Sequence, residues 1–600
     1  MSHERKTHFF WVAATILAVL GVVLSSLLLF SPFNLQKNFL DTLASDNNLE
    51  SFTYSIYQQI KIISIFPGLF FLILTLYLVI FREHAEKKVG RFLERGQVLI
   101  ERLKHDTLIA YQALIPSRDE VIPLVFVSGI TILGAFFRYA YLWRPMGHDE
   151  SYTFMAFAYR GLRFVLTDYH LPNNHVFHTI LVNLFYQLFG DSPAVIRLPA
   201  FIAGIMIIPA TYIVARKFYD WKIGILASSI VAYLPVMVDY STTARGYTII
   251  TLFSLLLIAL AVYVKDHINI IAWLLIVGFS SLGLYTIPTM IYPVGMTFTW
   301  LFLSRLIGDV NPDYGKQFIR YFILSMIGIT IITGLLYSPI VLTSGIGSII
   351  GNEVVETLSW SDFIQSLLPR IRNTWQEWNR NVLPCVSWVA LIGLFASFFV
   401  PKLPKNHRIP LILAGLLWIS TALLIQRVAP WPRIWLFLLP FFVIWISAGI
   451  VGLIFLLDGK SPYSNIWVRV AVGVLVIIPL TAGLVRGYGQ YSEKLHAQGE
   501  IEQVADFLQD YLRSGDVVVV TSPDTVVLQY YLLRNELDRN YTEVDEEKEA
   551  SRSIVVVNQA LNQTLESVLK RRSYLEDVQL GSEKEIYHSR RFILYELSSQ

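Results

Sequence analysis

Thirteen apolar runs recur along the chain, beginning near Phe9, Ile60, Ile122, Leu198, Ile223, Tyr247, Ile270, Thr289, Tyr321, Val386, Ile409, Ile434 and Trp467. About 20 apolar residues are what a helix needs to cross a bilayer core. A helix is also one of only two backbone forms that satisfy their polar groups there. The sequence therefore predicts a mainly α, polytopic membrane helical bundle of about 13 transmembrane helices. Composition agrees, with 54% hydrophobic and only 16% charged residues in 600. The first run follows Arg5 and Lys6, is too long for a signal-peptide core and lacks a small-residue cleavage site, so it reads as an uncleaved span. A single cysteine, Cys385, excludes an internal disulfide framework and a Cys-based metal site. No basic stripe with interleaved aromatics is present, which gives nucleic acid no footing as a partner.

A shorter stretch, HVFHTILVNLFYQLFG (175–190), sets the topology. Short cytoplasmic loops collect Lys and Arg. With Arg5 and Lys6 inside, two crossings return the basic stretch 83–120 to the inside, and a third delivers Asp149 and Glu150 to the outer face. If 175–190 lies along or dips into that face without crossing, the basic loops 215–222, 264–267, 305–320 and 401–408 all fall inside. If it crossed, every one of them would flip outward. The expectation is a multi-pass protein of the plasma (inner) membrane, with the N-terminus cytoplasmic and the C-terminus extracytoplasmic.

Three regions follow. Residues 1–120 read as a helical hairpin and a basic cytoplasmic connector suited to membrane lipid, and 121–488 as the membrane core. From 489 the composition changes: IEQVADFLQDYLRSGDVVVVTSPDTVVLQYYLL reads as helix, strand, loop, helix. RSIVVVNQALNQTLESVLKRR repeats strand then helix, and RRFILYEL closes as a strand. Residues 489–600 are thus a small extracytoplasmic α/β domain, without a Gly-rich phosphate loop or a catalytic constellation, and read as a packing or acceptor-docking module.

The helix centres are nearly empty of charge, whereas the outer boundary is crowded with acids, arginines and histidines. In LWRPMGHDESYTFMAF (142–157) two adjacent carboxylates, Asp149 and Glu150, follow an apolar run directly. An ion-coupled transporter should show ionisable residues near the midplane, so the alternative reading, a transporter or flippase of lipid-linked sugars, is disfavoured. A site at the outer interface suits a substrate with a polar head at the surface and a tail in lipid, such as a polyprenyl-phosphate sugar. Its transfer to a glycan, lipid or protein acceptor needs a carboxylate to deprotonate a hydroxyl and cations for the departing phosphate. Asp149 and Glu150 are the candidate catalytic residues, and because neighbours point to different sides only one should be the base. Arg197, Arg245, Arg427 and Arg433 are the candidate phosphate ligands.

GHDES, followed by the long ordered stretch from LPNNHVFH through RLPA to DYSTTARGY, resembles the integral-membrane glycosyltransferases of the GT-C class. The resemblance is to the branch holding the protein O-mannosyltransferases and the lipid A aminoarabinose transferase. It spans about residues 121–457 and is densest over 145–260. It implies a GT-C core and sugar transfer from a lipid phosphate with inversion, the Asp149–Glu150 pair occupying the place of the family's first-loop carboxylates. Asn174 and His175 match a His-Pro motif opening a juxtamembrane helix, with Val176 where Pro is usual. Arg197, Arg245 and, in WPRIWLFLLP, Arg433 resemble positions near the lipid phosphate. Relatives often carry an acid before the "AR" pair; Thr243 stands there, and Asp239 is the expected substitute. His170, Asn174, His175 and Asp239 are the candidate substrate-binding residues. With one carboxylate in that loop, transfer is expected to need neither a metal nor another cofactor, since hard cations want several oxygen ligands.

Overall fold

The computed structural model describes residues 3–42, 52–114, 121–351, 357–399, 410–458, 499–537, 541–542, 552–570 and 583–598, and four isolated positions between 478 and 485. Every apolar run but the last is helical; the last, from Trp467, lies outside the described residues except for those four positions, and the expected boundary near 489 lies outside them too. Among the described residues seven helices are long and apolar enough to cross a membrane, or eight if one bent pair is a single span. Four more apolar helices are shorter, so a count of about 13 would rest in part on these.

Helices α1 (His3–Phe30) and α3 (Tyr54–Ile80) form an N-terminal hairpin around the short α2 (Phe33–Asp41). Trp11 in α1 donates its indole N–H to the Leu78 carbonyl of α3 (3.0 Å). The amphipathic α4 (Arg82–Leu114) then reaches the core, where Asp106 Oδ2 accepts the Ile270 N–H (2.8 Å) and its carbonyl accepts from Asn269 (2.7 Å).

The core comprises α5 (Val121–Leu142), the small helices α6 (His148–Thr153), α7 (Leu162–Thr167) and α8 (Val176–Phe189), and the bundle α9 (Pro193–Phe218) to α15 (Gly315–Ser344). Within that bundle lie α10 (Trp221–Tyr233), α11 (Pro235–Ser241), α12 (Tyr247–Asp266), α13 (Ile270–Thr286) and α14 (Ile291–Leu306). After α16 (Gly347–Ile350) come α17 (Trp360–Trp378), α18 (Pro384–Ser397), α19 (Leu411–Gln426) and α20 (Leu439–Asp458). The apolar window of α12 is 83% buried against protein and that of α15 only 11%, which makes α12 the central helix and α15 a peripheral one. At 14 residues α8 spans about 21 Å, short of a bilayer core.

Pro235 breaks the α10–α11 pair with a bend of 63°, because proline removes a helical donor and clashes with the preceding turn. The freed carbonyls of Val231 and Ala232 accept from the fully buried Arg138 of α5 (3.3 and 2.8 Å), which also donates to Gly134 and Ser241. A charge inside the bundle is thus spent on backbone that the kink exposes.

Beyond the core, a helix at 499–511 (α21) precedes a four-stranded sheet of order β1-β2-β4-β3. β1 (Asp516–Val519) and β2 (Arg552–Asn558) are parallel, joined through α22 (Asp524–Arg534); β4 (Phe592–Ser598) runs antiparallel to β2 and to β3 (Lys584–His588). The helix α23 (Leu565–Leu569) follows β2. The Ile554–Val557 run of β2 is buried on both faces, as a central strand should be. Strand β3, KEIYH, went unread in the sequence because it is polar, short and exposed at the sheet edge.

Candidate active site

The two carboxylates of α6 diverge at once. Gly147 caps the helix in extended conformation, and Glu150 at the third helical position accepts the Gly147 N–H (3.2 Å), the carboxylate half of a capping arrangement. Its side chain turns inward, 3% exposed, and meets Arg197 in a two-pronged ion pair with Nε–Oε2 and Nη2–Oε1 both at 2.8 Å. The Ala244 N–H also donates to Oε2 (2.9 Å). Burial alone would raise the carboxyl; the Arg197 charge and hydrogen bonds, with Arg144 and the Ala244 N–H, outweigh it and hold the group down at about 2.

Arg197 has no donor to spare. Besides Glu150, Nη1 donates to the Leu142 and Arg144 carbonyls (2.9 and 2.5 Å) and Nη2 to Pro145 (3.0 Å). The five N–H groups of a guanidinium are all engaged and the side chain is fully buried. The structure thus brings Arg197 to Glu150 and the backbone of 142–145, not to an open face where a phosphate could reach it.

Asp149 points the other way. Its side chain is 43% exposed, and Oδ2 accepts from Arg433 Nη1 at 3.0 Å. Arg433 enters from the 3-10 turn Pro432–Leu438, whose proline starts it after the extended Trp431. Tyr240, Glu377, Trp431, Pro432 and Arg433 line an open cleft there, two of them charged. Glu377, on the last turn of α17, accepts from the Tyr240 hydroxyl (3.2 Å) and lies 3.6 Å from Arg380.

Arg245 fixes the far end of α6. Nη1 donates to Thr153 Oγ1 (2.8 Å) and the Asn173 carbonyl (3.0 Å), while the Asn173 amide reaches back to the Asp149 carbonyl (3.3 Å). Arg245 Nη2 lies 3.1 Å from His175 Nε2, and His175 Nδ1 accepts the Gly246 N–H (2.9 Å). Burial, and then the Arg245 charge, hold His175 far below the ordinary imidazole range, so the ring is neutral. Arg245 is 4% and His175 2% exposed, so both act from beneath the site surface.

The remaining expected residues are scattered. Asn174 is buried and donates to the Val165 and Asp168 carbonyls (3.0 and 2.9 Å), which shapes the loop before α8. His170 is held between Asp168 and the Tyr152 hydroxyl, which donates to Nε2 at 2.7 Å. Asp239 is bound by Arg144 and Arg380, and the Thr243 hydroxyl accepts from Arg144. Arg427 caps α19 in left-handed conformation and stacks its guanidinium 5.5 Å from the Trp360 ring. Arg144, Asn173, Tyr240 and Glu377 were missed by sequence reasoning. Arg144 and Asn173 lie inside the motif-bearing stretches, whereas nothing at Glu377 distinguishes it from any acid on an amphipathic helix.

An apolar groove adjoins the cleft. Ile230 of α10, Leu234 at the α10–α11 break, Trp375 and Trp378 of α17, Val386 of α18 and Phe442 of α20 are among its walls. The last turn of α17 therefore serves both, with Glu377 on the cleft and its tryptophans on the groove. Among the described residues no group of three or more His, Cys, Asp or Glu is placed to hold a metal ion.

Residues 176–337 match the family model described as dolichyl-phosphate-mannose-protein mannosyltransferase. No curated protein matches the chain significantly. Two solved structures of ArnT from Cupriavidus metallidurans share its architecture. The apo state is 14% identical, with 80% of this chain and 98% of that one covered at a TM-score of 0.50. The form bound to undecaprenyl phosphate is 13% identical, with 79% and 97% covered at 0.50. The chain is a multi-pass membrane protein with the GT-C fold seen in ArnT, and its central stretch carries the pattern of the mannosyltransferase family.

Proposed function

We propose that the protein transfers a sugar from a polyprenyl-phosphate donor to an acceptor hydroxyl at the extracytoplasmic face, with inversion and without a metal. The observation that carries this is the divergence of Asp149 and Glu150: one half-exposed carboxylate stands beside an arginine at the rim of an open cleft that also holds Glu377 and adjoins an apolar groove. The mannosyltransferase match and the ArnT fold, seen with undecaprenyl phosphate in that relative, support the same chemistry.

The groove takes the isoprenoid chain and the cleft takes the phosphate and sugar. Asp149 accepts the proton of the acceptor hydroxyl, whose oxygen bonds to the anomeric carbon as the carbon–phosphate-oxygen bond breaks. The polyprenyl phosphate leaves with that electron pair, and one in-line displacement inverts the centre. Arg433 meets the growing phosphate charge with a fixed fork of donors. Because Arg433 also pairs with Asp149, an arriving phosphate competes for it and releases the carboxylate for proton transfer.

This reading reassigns five expected residues. A general base works best with a pKa near the operating pH, so Glu150, held at about 2, is an anchor and not a base. Arg197 holds Glu150, and Arg245 holds Thr153 and Asn173, so the phosphate ligand among the proposed arginines is Arg433, with Arg427 stacked on Trp360. Asp239 is occupied by two arginines and does not stand in for a substrate-facing acid. Glu150 and Asp239 are thereby unavailable as oxygen ligands for a hard cation, which favours metal-independent transfer.

The test is label transfer from a panel of polyprenyl-phosphate sugars in nanodiscs, with and without chelator, and the product's anomeric configuration read by NMR. Inverted product, insensitive to chelator, is expected. Label that crosses the bilayer of a vesicle with its lipid linkage intact would instead favour a flippase.

A further inference from the structure

The C-terminal domain touches the carboxylate helix at both sides of its cap. The Met146 N–H donates to the Tyr531 hydroxyl of α22 (3.0 Å), and His148 Nδ1–H donates to the Pro523 carbonyl just before α22 (2.8 Å). Gly147, the cap of α6, lies between these two holds. Next to them Tyr530, fully buried, sets its ring edge-on to Phe154 with centroids 5.7 Å apart and donates its hydroxyl to the Asp191 carbonyl (2.7 Å). Met146, Phe154 and Ala244 of the core share one buried cluster with Leu508, Leu528 and Tyr531 of the domain. The domain's hydrophobic core and the footing of the carboxylate helix are the same body of side chains.

We infer that the C-terminal domain is a working part of the transfer site: Tyr531 and the Pro523 carbonyl are positioning groups that hold residues 146–148, and through them Asp149, in register with Arg433. This rests on the reading of Asp149 as the base. The α-helical part is only six residues and runs straight into a π-helical turn at Phe154–Ala158, so its start depends on outside contacts for its angle. Arg245 and Asn173 fix its C-terminal end, and the domain fixes its start. Among the described residues Asp149 has one side-chain partner, Arg433, itself 40% exposed, so its aim is set by the backbone beneath it. A displacement of about 1 Å in such a group lowers turnover by about 100-fold. Tyr531 acts through that backbone and does not touch substrate, and the Met146 N–H is left buried without an acceptor if the hydroxyl is removed.

The full-length protein in nanodiscs tests this with four variants. Tyr531→Phe should lower kcat by about 10-fold or more, leave the donor KM unchanged, and speed amide exchange at Met146. Tyr511→Phe removes a hydroxyl that bonds Glu596 within the same domain and should match wild type in all three. His148→Asn, which keeps a side-chain N–H near the Pro523 carbonyl, should retain more turnover than His148→Ala. Wild-type kcat and unchanged Met146 exchange in Tyr531→Phe would overturn the inference. Equal losses in Tyr531→Phe and Tyr511→Phe would overturn it too, by showing a general weakening of the domain. Exchange at Met146 does not depend on turnover, so an inactive wild-type protein refutes the proposed reaction and not the hold on the loop.

Discussion

Arg197 grips Glu150 through two 2.8 Å contacts, Nε to Oε2 and Nη2 to Oε1, while the adjacent Asp149 faces outward to Arg433. Two neighbouring carboxylates at the mouth of a membrane helix therefore have opposite duties. One anchors the helix in the protein and the other is left for chemistry.

Removing one side of a buried, bidentate pair leaves the other charge stranded. Arg197→Ala should destabilise the protein by about 3–5 kcal/mol, and Arg197→Lys by nearly as much, because an ammonium cannot serve Glu150 and three carbonyls at once. Thermal melting in detergent reads this directly. A wild-type melting profile for either variant would contradict the anchoring role.

Acid should weaken the same pair. Glu150 sits at about 2 in the folded protein, below its ordinary 4.5. A depressed carboxyl adds stability that is complete above its unfolded pKa and fades as pH falls toward the folded one. The stability gap between wild type and Glu150→Gln should thus be constant above about pH 5 and narrow between about pH 4.5 and 2. Melting temperatures across that range check it, and a gap that widens with acid contradicts it.

Much of this was legible in the sequence, and what was not has a physical cause. Apolar runs identified the helices because hydropathy is additive along a span, and the Ile554–Val557 run announced a strand. Asp149 stood out because a carboxylate directly after a span is costly without purpose. Arg197 and Arg245 were expected at a phosphate because sequence gives the end of a helix a residue occupies but not which way its side chain turns; the fold turns both toward α6. Glu377 was invisible, since it reaches the cleft only through the packing of α17 against the Tyr240 region.

Arg433 and Arg245 should separate kinetically. Arg433 faces the cleft, and losing a charge-assisted hydrogen bond of about 1.5–3 kcal/mol raises donor KM by about 10- to 100-fold in Arg433→Ala. Arg245→Lys keeps the charge but loses the double hold on Thr153 and Asn173, so kcat should fall with donor KM little changed. Initial rates against donor concentration distinguish the two, and matching profiles would merge their roles.

Glu377→Gln keeps the shape of the cleft wall and its acceptor for Tyr240 while removing its charge. If Glu377 orients sugar hydroxyls, the variant should lower kcat/KM by about 10-fold without altering stability. Competition between two donor sugars is the sharper readout, and an unchanged preference would remove Glu377 from sugar recognition.

The central claim, that Asp149 is the base and Glu150 the anchor, is tested most directly by single-turnover transfer with bound donor in Asp149→Asn and Glu150→Gln, at a temperature where melting shows both folded. Asp149→Asn should slow the step by about 10²- to 10⁴-fold with normal donor binding and an unchanged melting temperature. Glu150→Gln should melt lower yet retain most of the rate in its folded fraction. Near wild-type transfer by Asp149→Asn, with transfer abolished in well-folded Glu150→Gln, would contradict the account and exchange the two roles.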